Sequence, residues 1–130
     1  MPNSIEEVVQ SLLNAAADSP IVSASNIVLD KRTNRSGLIR GDLYFLDGSR
    51  LHFRELVAIQ EAVVRLMYSY HYQSSSNELI FRYDDTQHHP ELDGFPHHKH
   101  IEQEVNVATS EPPDMVDVLA EIERIFPLSK

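Results

Sequence analysis

The sequence contains no cysteine. That excludes disulfides, zinc–thiolate centres and a cysteine nucleophile together, and leaves any metal to histidine, aspartate or glutamate. A long apolar run is missing too: nothing approaches the roughly 20 residues needed to span a bilayer. The first ten residues carry acids and no basic residue, unlike a secretory signal. A cytoplasmic protein with no membrane contact is therefore expected. Positive charge is scarce, with 11 Lys and Arg against 20 Asp and Glu and a formal net charge of −9. Protonating all seven histidines would still leave the chain negative. Long-range attraction to nucleic acid comes from positive surface, so a protein that coats DNA or RNA is disfavoured. A local basic patch survives that argument: Lys31, Arg32, Arg35 and Arg40 lie together, and Arg50 and Arg54 follow. The acidic remainder suits a protein partner equally well.

Repeats, linkers and low-complexity stretches are also absent. What is present is 130 residues with 42 % hydrophobic content, enough for one domain with its own core. Residues 4–17 have the spacing of an amphipathic helix, with Ile5, Val8, Val9, Leu12, Leu13 and Ala16 on one side, a capping pattern at Ser4 and Glu7, and Pro20 beyond. Three strands are expected over 21–30, 38–46 and 51–57. Asp47-Gly48 joins the last two, and Ile39, Gly41, Leu43 and Phe45 alternate with polar neighbours. A second hairpin is expected from residues 63–73 and 79–84, alternating as Val64, Leu66, Tyr68, Tyr70 and Tyr72 against Arg65, Met67, Ser69 and His71. A loop over 86–99, a last strand over 101–108 and a helix over 114–126 complete the chain, with Pro112 and Pro113 tolerable only at or before the helix's first turn. The expected architecture is a single α+β domain: an antiparallel sheet of five or six strands, with N- and C-terminal helices packed on one face.

Two features point to chemistry. Period-2 spacing puts Glu55 on the same face as Leu51, Phe53 and Val57, where an acid is costly without a partner. An edge position, an arginine partner or a place lining a site would each account for it. The second feature is stronger. Five of the seven histidines, His88, His89, His97, His98 and His100, fall within 13 residues. Clustered imidazoles serve metal binding, proton transfer near neutral pH, or phosphate contact when protonated. His98 and His100 are two apart, so on a strand they share a face and could chelate one ion together. Arg82 and Asp84 are also two apart, at the end of the preceding strand. Pairing of the two strands would bring all four together. Lys99 adds a positive charge, and a polar loop pinned by histidine hydrogen bonds is the plain alternative.

The run Arg82-Tyr83-Asp84-Asp85-Thr86-Gln87-His88-His89-Pro90, followed by Phe95-Pro96-His97-His98-Lys99-His100, resembles the TumE family of toxin components from bacterial toxin–antitoxin pairs. Gly41-Asp42, Asp47-Gly48-Ser49-Arg50-Leu51, Glu55-Leu56-Val57 and Tyr68-Ser69-Tyr70-His71-Tyr72 carry the same likeness, which covers roughly residues 41–126. One departure stands out: Asp85-Thr86-Gln87 occupies the place of the family's Asn-Ala-Pro and adds a charge. The resemblance implies growth inhibition relieved by a helix-turn-helix antitoxin. It places the family's motif positions at Glu55, Tyr70, Arg82, Asp84, His88, His89, His97, His98 and His100.

The reading that joins these features is a toxin acting as a ribonuclease-type phosphodiesterase on RNA. His98 and His100 would form the acid/base pair, with His88 and His89 in the same site, Asp84 or Glu55 orienting an imidazole, and Arg82 and Lys99 stabilising charge on phosphorus. A metal-dependent version would hold a divalent ion on His97, His98, His100 and Asp84. The alternative is a non-enzymatic module that holds metal or docks on a protein through its acidic surface.

Overall fold

The computed structural model describes residues 4–85, 98–109 and 112–127; the side chains of 98 and of 103–109 lie outside that description. Seven strands follow one another between two helices: α1 (Ile5–Asp18), β1 (Val22–Thr33), β2 (Ser36–Phe45), β3 (Arg50–Gln60), β4 (Ala62–Gln73), β5 (Leu79–Asp84), β6 (His98–Ile101), β7 (Gln103–Thr109) and α2 (Met115–Ile125). The sheet order is the chain order, and every pairing is antiparallel. The expected α+β architecture, with terminal helices on one face of an antiparallel sheet, is the one observed.

Local chemistry explains the elements. The Ser4 side chain accepts the Glu7 amide at 3.1 Å and caps α1. Asp114 and Asp117 bond each other's backbone in a capping box that starts α2 directly after Pro112 and Pro113. The Asp47-Gly48 turn is fixed by Asp47, whose Oδ1 accepts from the Ser49 amide at 2.9 Å, while Gly48 takes a positive φ of 86°. Tyr72 donates to Ser49 Oγ at 2.8 Å and ties that turn to β4. Gly41 is required by crowding, since a Cβ there would lie 2.3 Å from the Asn26 carbonyl oxygen.

The alternation of each strand sorts residues to two faces. Ile39, Leu43, Phe45, Leu51, Phe53, Val57, Tyr70, Tyr72 and Phe81 face the helices and pack with Ile5, Leu12, Met115, Val118 and Ile122. Burying each such aliphatic or aromatic side chain contributes about 1.5–3 kcal/mol. The opposite face has no helix among the described residues. There the strands present mainly polar side chains.

Two departures from the sequence reading have physical causes. The segment read as one last strand over 101–108 is a tight hairpin: β6 turns at Glu102, whose φ of 62° is left-handed, and Ile101 pairs with Gln103. In β4 a bulge against Leu56 and Val57 inserts one residue, so the alternation slips between Arg65 and Met67. Leu66, expected inward, is exposed, and Arg65 turns to the helix side.

Candidate functional site

The helix-free face is built from cross-strand rows. Antiparallel register places Asp42, His52, His71, Arg82 and His100 opposite one another in turn across β2 to β6. One pleat away run Arg40, Arg54, Ser69, Asp84 and His98. In β2, β3 and β4 the row residues alternate with buried core residues, and Arg82, Asp84 and His100 alternate with Phe81, Tyr83 and Lys99, which face the helices, so these side chains lie on the face opposite the core. A chain with a net charge of −9 thus gathers arginines and histidines on one surface. The acids of α1 and α2 sit on the other side of the sheet.

The rows meet at Asp84, which is 1 % exposed. Its Oδ2 accepts from Arg82 Nε at 2.7 Å, and His100 Nε2 lies 3.7 Å from the same oxygen. His100 is buried as well, at 3 %. A buried carboxylate needs compensation, and the guanidinium supplies it. Further along the first row His52 Nδ1 lies 3.1 Å from Asp42 Oδ1. Beside Asp84 a cleft of about 170 Å³ opens on the same face, lined by Leu38, Arg54, Leu56, Met67, Tyr68, Ser69 and Arg82.

Arg82, Asp84 and His100 therefore come together, and the backbone of His98 is paired with that of Asp84. The side chain of His98 lies outside the described residues, as do His88, His89 and His97. Glu55 and Lys99 take the other face. Glu55, expected in the same site as Arg82, Asp84 and His98, is a buried central-strand residue facing the helices, and accepts from the Tyr70 hydroxyl at 2.5 Å. Burial raises its pKa above the ordinary glutamate value, with the Tyr70 bond and the Arg65 charge offsetting part of that rise. Arg65 donates to the Tyr70 oxygen at 3.0 Å and to the Pro113 carbonyl at 2.6 Å, and its guanidinium covers the Tyr68 ring at 4.3 Å. Desolvation pushes the Tyr70 phenol far up, reinforced by the Glu55 charge. This polar network of Glu55, Tyr70 and Arg65 joins β3 and β4 to the segment before α2.

Lys99 points to the helices between His98 and His100. Its ammonium lies 2.6 Å from Glu121 and 4.8 Å from the Tyr83 ring centroid. Burial works against that ammonium, but the bonds to Glu121 and Tyr83 outweigh it and leave its pKa raised. It cannot also reach a phosphate held on the histidine face. Residues the sequence reading passed over are His52, Ser69 and His71, which share the rows; their parity, opposite to Tyr68, Tyr70 and Tyr72, was the available signal. Asp85, where the resemblance implies Asn, accepts from the Tyr68 amide at 3.2 Å. An Asn carbonyl would accept the same bond, so the swap preserves this contact and changes only its charge.

Residues 11–126 match the family described as Toxin TumE. The chain belongs to the TumE family. It is thus a toxin of a toxin–antitoxin system, with an antitoxin implied as its partner. No curated protein and no solved structure matches it. The TumE match begins within α1 and ends just past α2, so both faces of the sheet fall inside it. No helix among the described residues is long and apolar enough to cross a membrane.

Proposed function

We propose that the toxin cleaves RNA on the helix-free face of the sheet, by acid/base transfer through His98 and His100. The observation that carries this reading is the Asp84 centre: a buried carboxylate holding Arg82 beside a buried imidazole, at the meeting of two rows rich in arginine and histidine. One imidazole removes the 2′-hydroxyl proton and the 2′-oxygen attacks phosphorus. The bond to the 5′-oxygen breaks, and the second imidazole protonates that oxygen, leaving a 2′,3′-cyclic phosphate. Arg82 and Arg54 offer donors to the charge that builds on the phosphoryl oxygens. Asp84 acts through its neighbours, holding Arg82 and the His100 ring in place; it is a positioning residue. Glu55 and Lys99 have no part in the chemistry.

A divalent ion on Asp84, His98 and His100 is the second reading. The donor set fits it less well, because the Arg82 guanidinium already engages Asp84 Oδ2 at 2.7 Å and would crowd and repel a cation there. We therefore favour acid/base chemistry without a metal.

The test is cleavage of total RNA by the purified protein, with and without chelator, beside the His98→Ala variant. We expect cleavage that survives chelator, and a variant that folds but neither cleaves RNA nor arrests growth when expressed without antitoxin. Full toxicity in His98→Ala would overturn the assignment, and loss of wild-type cleavage in chelator would select the metal reading.

A further inference from the structure

We infer that the cleft beside Asp84 is a subsite for one unpaired nucleobase, so that the toxin reads a base next to the phosphate it attacks. This rests on the RNA-cleaving reading above and names the part of the substrate recognised. The cleft has two kinds of wall. Leu38, Leu56 and Met67 face one another across β2, β3 and β4, forming an apolar row on a mainly polar face. Ser69 is the small residue between Arg54 and Asp84 in the next row, and its short side chain leaves the floor open.

The chemistry of that lining selects its occupant. A nucleobase has apolar flat faces and an edge that carries donors and acceptors, matching an apolar wall rimmed by a guanidinium and a hydroxyl. Arg54 and Arg82 at the rim suit the phosphate, while the apolar row beside them suits a neutral, flat group. An aliphatic chain would leave the Arg54 guanidinium against hydrocarbon, at a cost. Adjacent rows on one face are two residues apart along a strand, roughly 7 Å. That is about the span from a base to its own phosphate, so a base on the apolar row leaves its phosphate over the arginine and histidine rows. A volume of about 170 Å³ suits one base and not a base pair, which restricts the substrate to single-stranded or looped RNA.

The experiment compares binding of the four nucleoside 3′-monophosphates, ribose 5-phosphate and inorganic phosphate to the wild-type protein and to Ser69→Leu. The leucine fills the floor from the helix-free side and removes no core contact. Met67→Glu, at a side chain 52 % exposed, serves as the second variant should Ser69→Leu fail to fold. We expect at least one nucleotide to bind about tenfold or more tighter than ribose 5-phosphate, and that margin to vanish in either variant that folds. Equal affinity for nucleotide and ribose 5-phosphate, or a margin unchanged in both variants, overturns the inference. Cleavage of RNA with no base preference would overturn it while leaving the proposed function standing. Base-dependent binding without RNA cleavage would support the subsite and refute the cleavage reading, pointing to free nucleotides as its ligand.

Discussion

Replacing Asp84 by Asn preserves the shape of the side chain and removes its charge. The wild-type carboxylate is 1 % exposed and receives Arg82 Nε at 2.7 Å, with the His100 ring nitrogen 3.7 Å away. Arg82 stays ionised and can still donate to the Asn oxygen, so a bond to a charged group of about 1.5–3 kcal/mol is weakened rather than lost, and Asp84→Asn should cost about 1–2 kcal/mol. Each kcal/mol moves the midpoint of a domain this size by roughly 3–6 °C, so thermal unfolding should shift down by about 3–12 °C. Asp84→Ala strands the guanidinium and should cost more, about 3–5 kcal/mol. At 25 °C the Asn variant remains folded, and its activity there reports on chemistry rather than on unfolding. If Asp84 positions Arg82 and His100 for proton transfer and charge stabilisation, kcat for RNA cleavage should fall by about 100-fold or more, while KM changes little. Growth inhibition should fall with it. An Asp84→Asn protein that melts at the lower temperature yet cleaves with unchanged kcat would refute the positioning role and reduce Asp84 to a structural ion pair.

Two further predictions concern the opposite face. The folded protein holds the Glu55 proton to higher pH than the unfolded chain, so the stability this group contributes is complete below its ordinary value of 4.5 and is lost as pH rises through the raised folded value. Glu55→Gln should flatten that limb, seen as a smaller fall in urea midpoint on going from pH 4.5 to 7; an unchanged profile would show that Glu55 is not the titrating group. Lys99→Met should cost about 1–2 kcal/mol through loss of the partly buried pair with Glu121, yet leave toxicity and RNA cleavage intact. Loss of cleavage in a well-folded Lys99→Met protein would mean that the two faces are not functionally separate.

Most of the sheet was legible because its strands alternate cleanly. Leu43, Phe45, Leu51, Phe53, Tyr70 and Tyr72 sit at period-2 positions, and Asp47-Gly48 marks its turn. The β6–β7 hairpin was not legible, since the turn falls at Glu102 with no Gly, Asn or Pro to mark it. The bulge in β4 carries no marker either, which hid Arg65 as a partner of Tyr70. Of the site, the pairing of Arg82 and Asp84 with His98 and His100 followed from two i, i+2 pairs on neighbouring strands. Parity assigned Glu55 to the apolar face, where it is found, and only its link to the histidine site fails; Lys99 was drawn to that site by its charge, while its parity assigns it to the other face. Lys99 lies between two histidines in sequence, and the sheet separates it from the side chain of His100.

The sheet order that equals the chain order also governs the sequence in which the toxin becomes dangerous. Each strand needs only the one made just before it, so loop closures are short and β1 to β4 can pair before the later strands exist. Asp84 and His100 lie on β5 and β6, and α2, which seals the core, comes after both. During synthesis the arginines of β2 and β3 are therefore laid down first as an inert surface. On the proposed reading, the acid/base pair of β6 is added after them. If the proposed function holds, a nascent chain cut short before residue 98 is a scaffold without its acid/base pair, and the interval before β6 and β7 emerge is time in which an antitoxin can already be waiting.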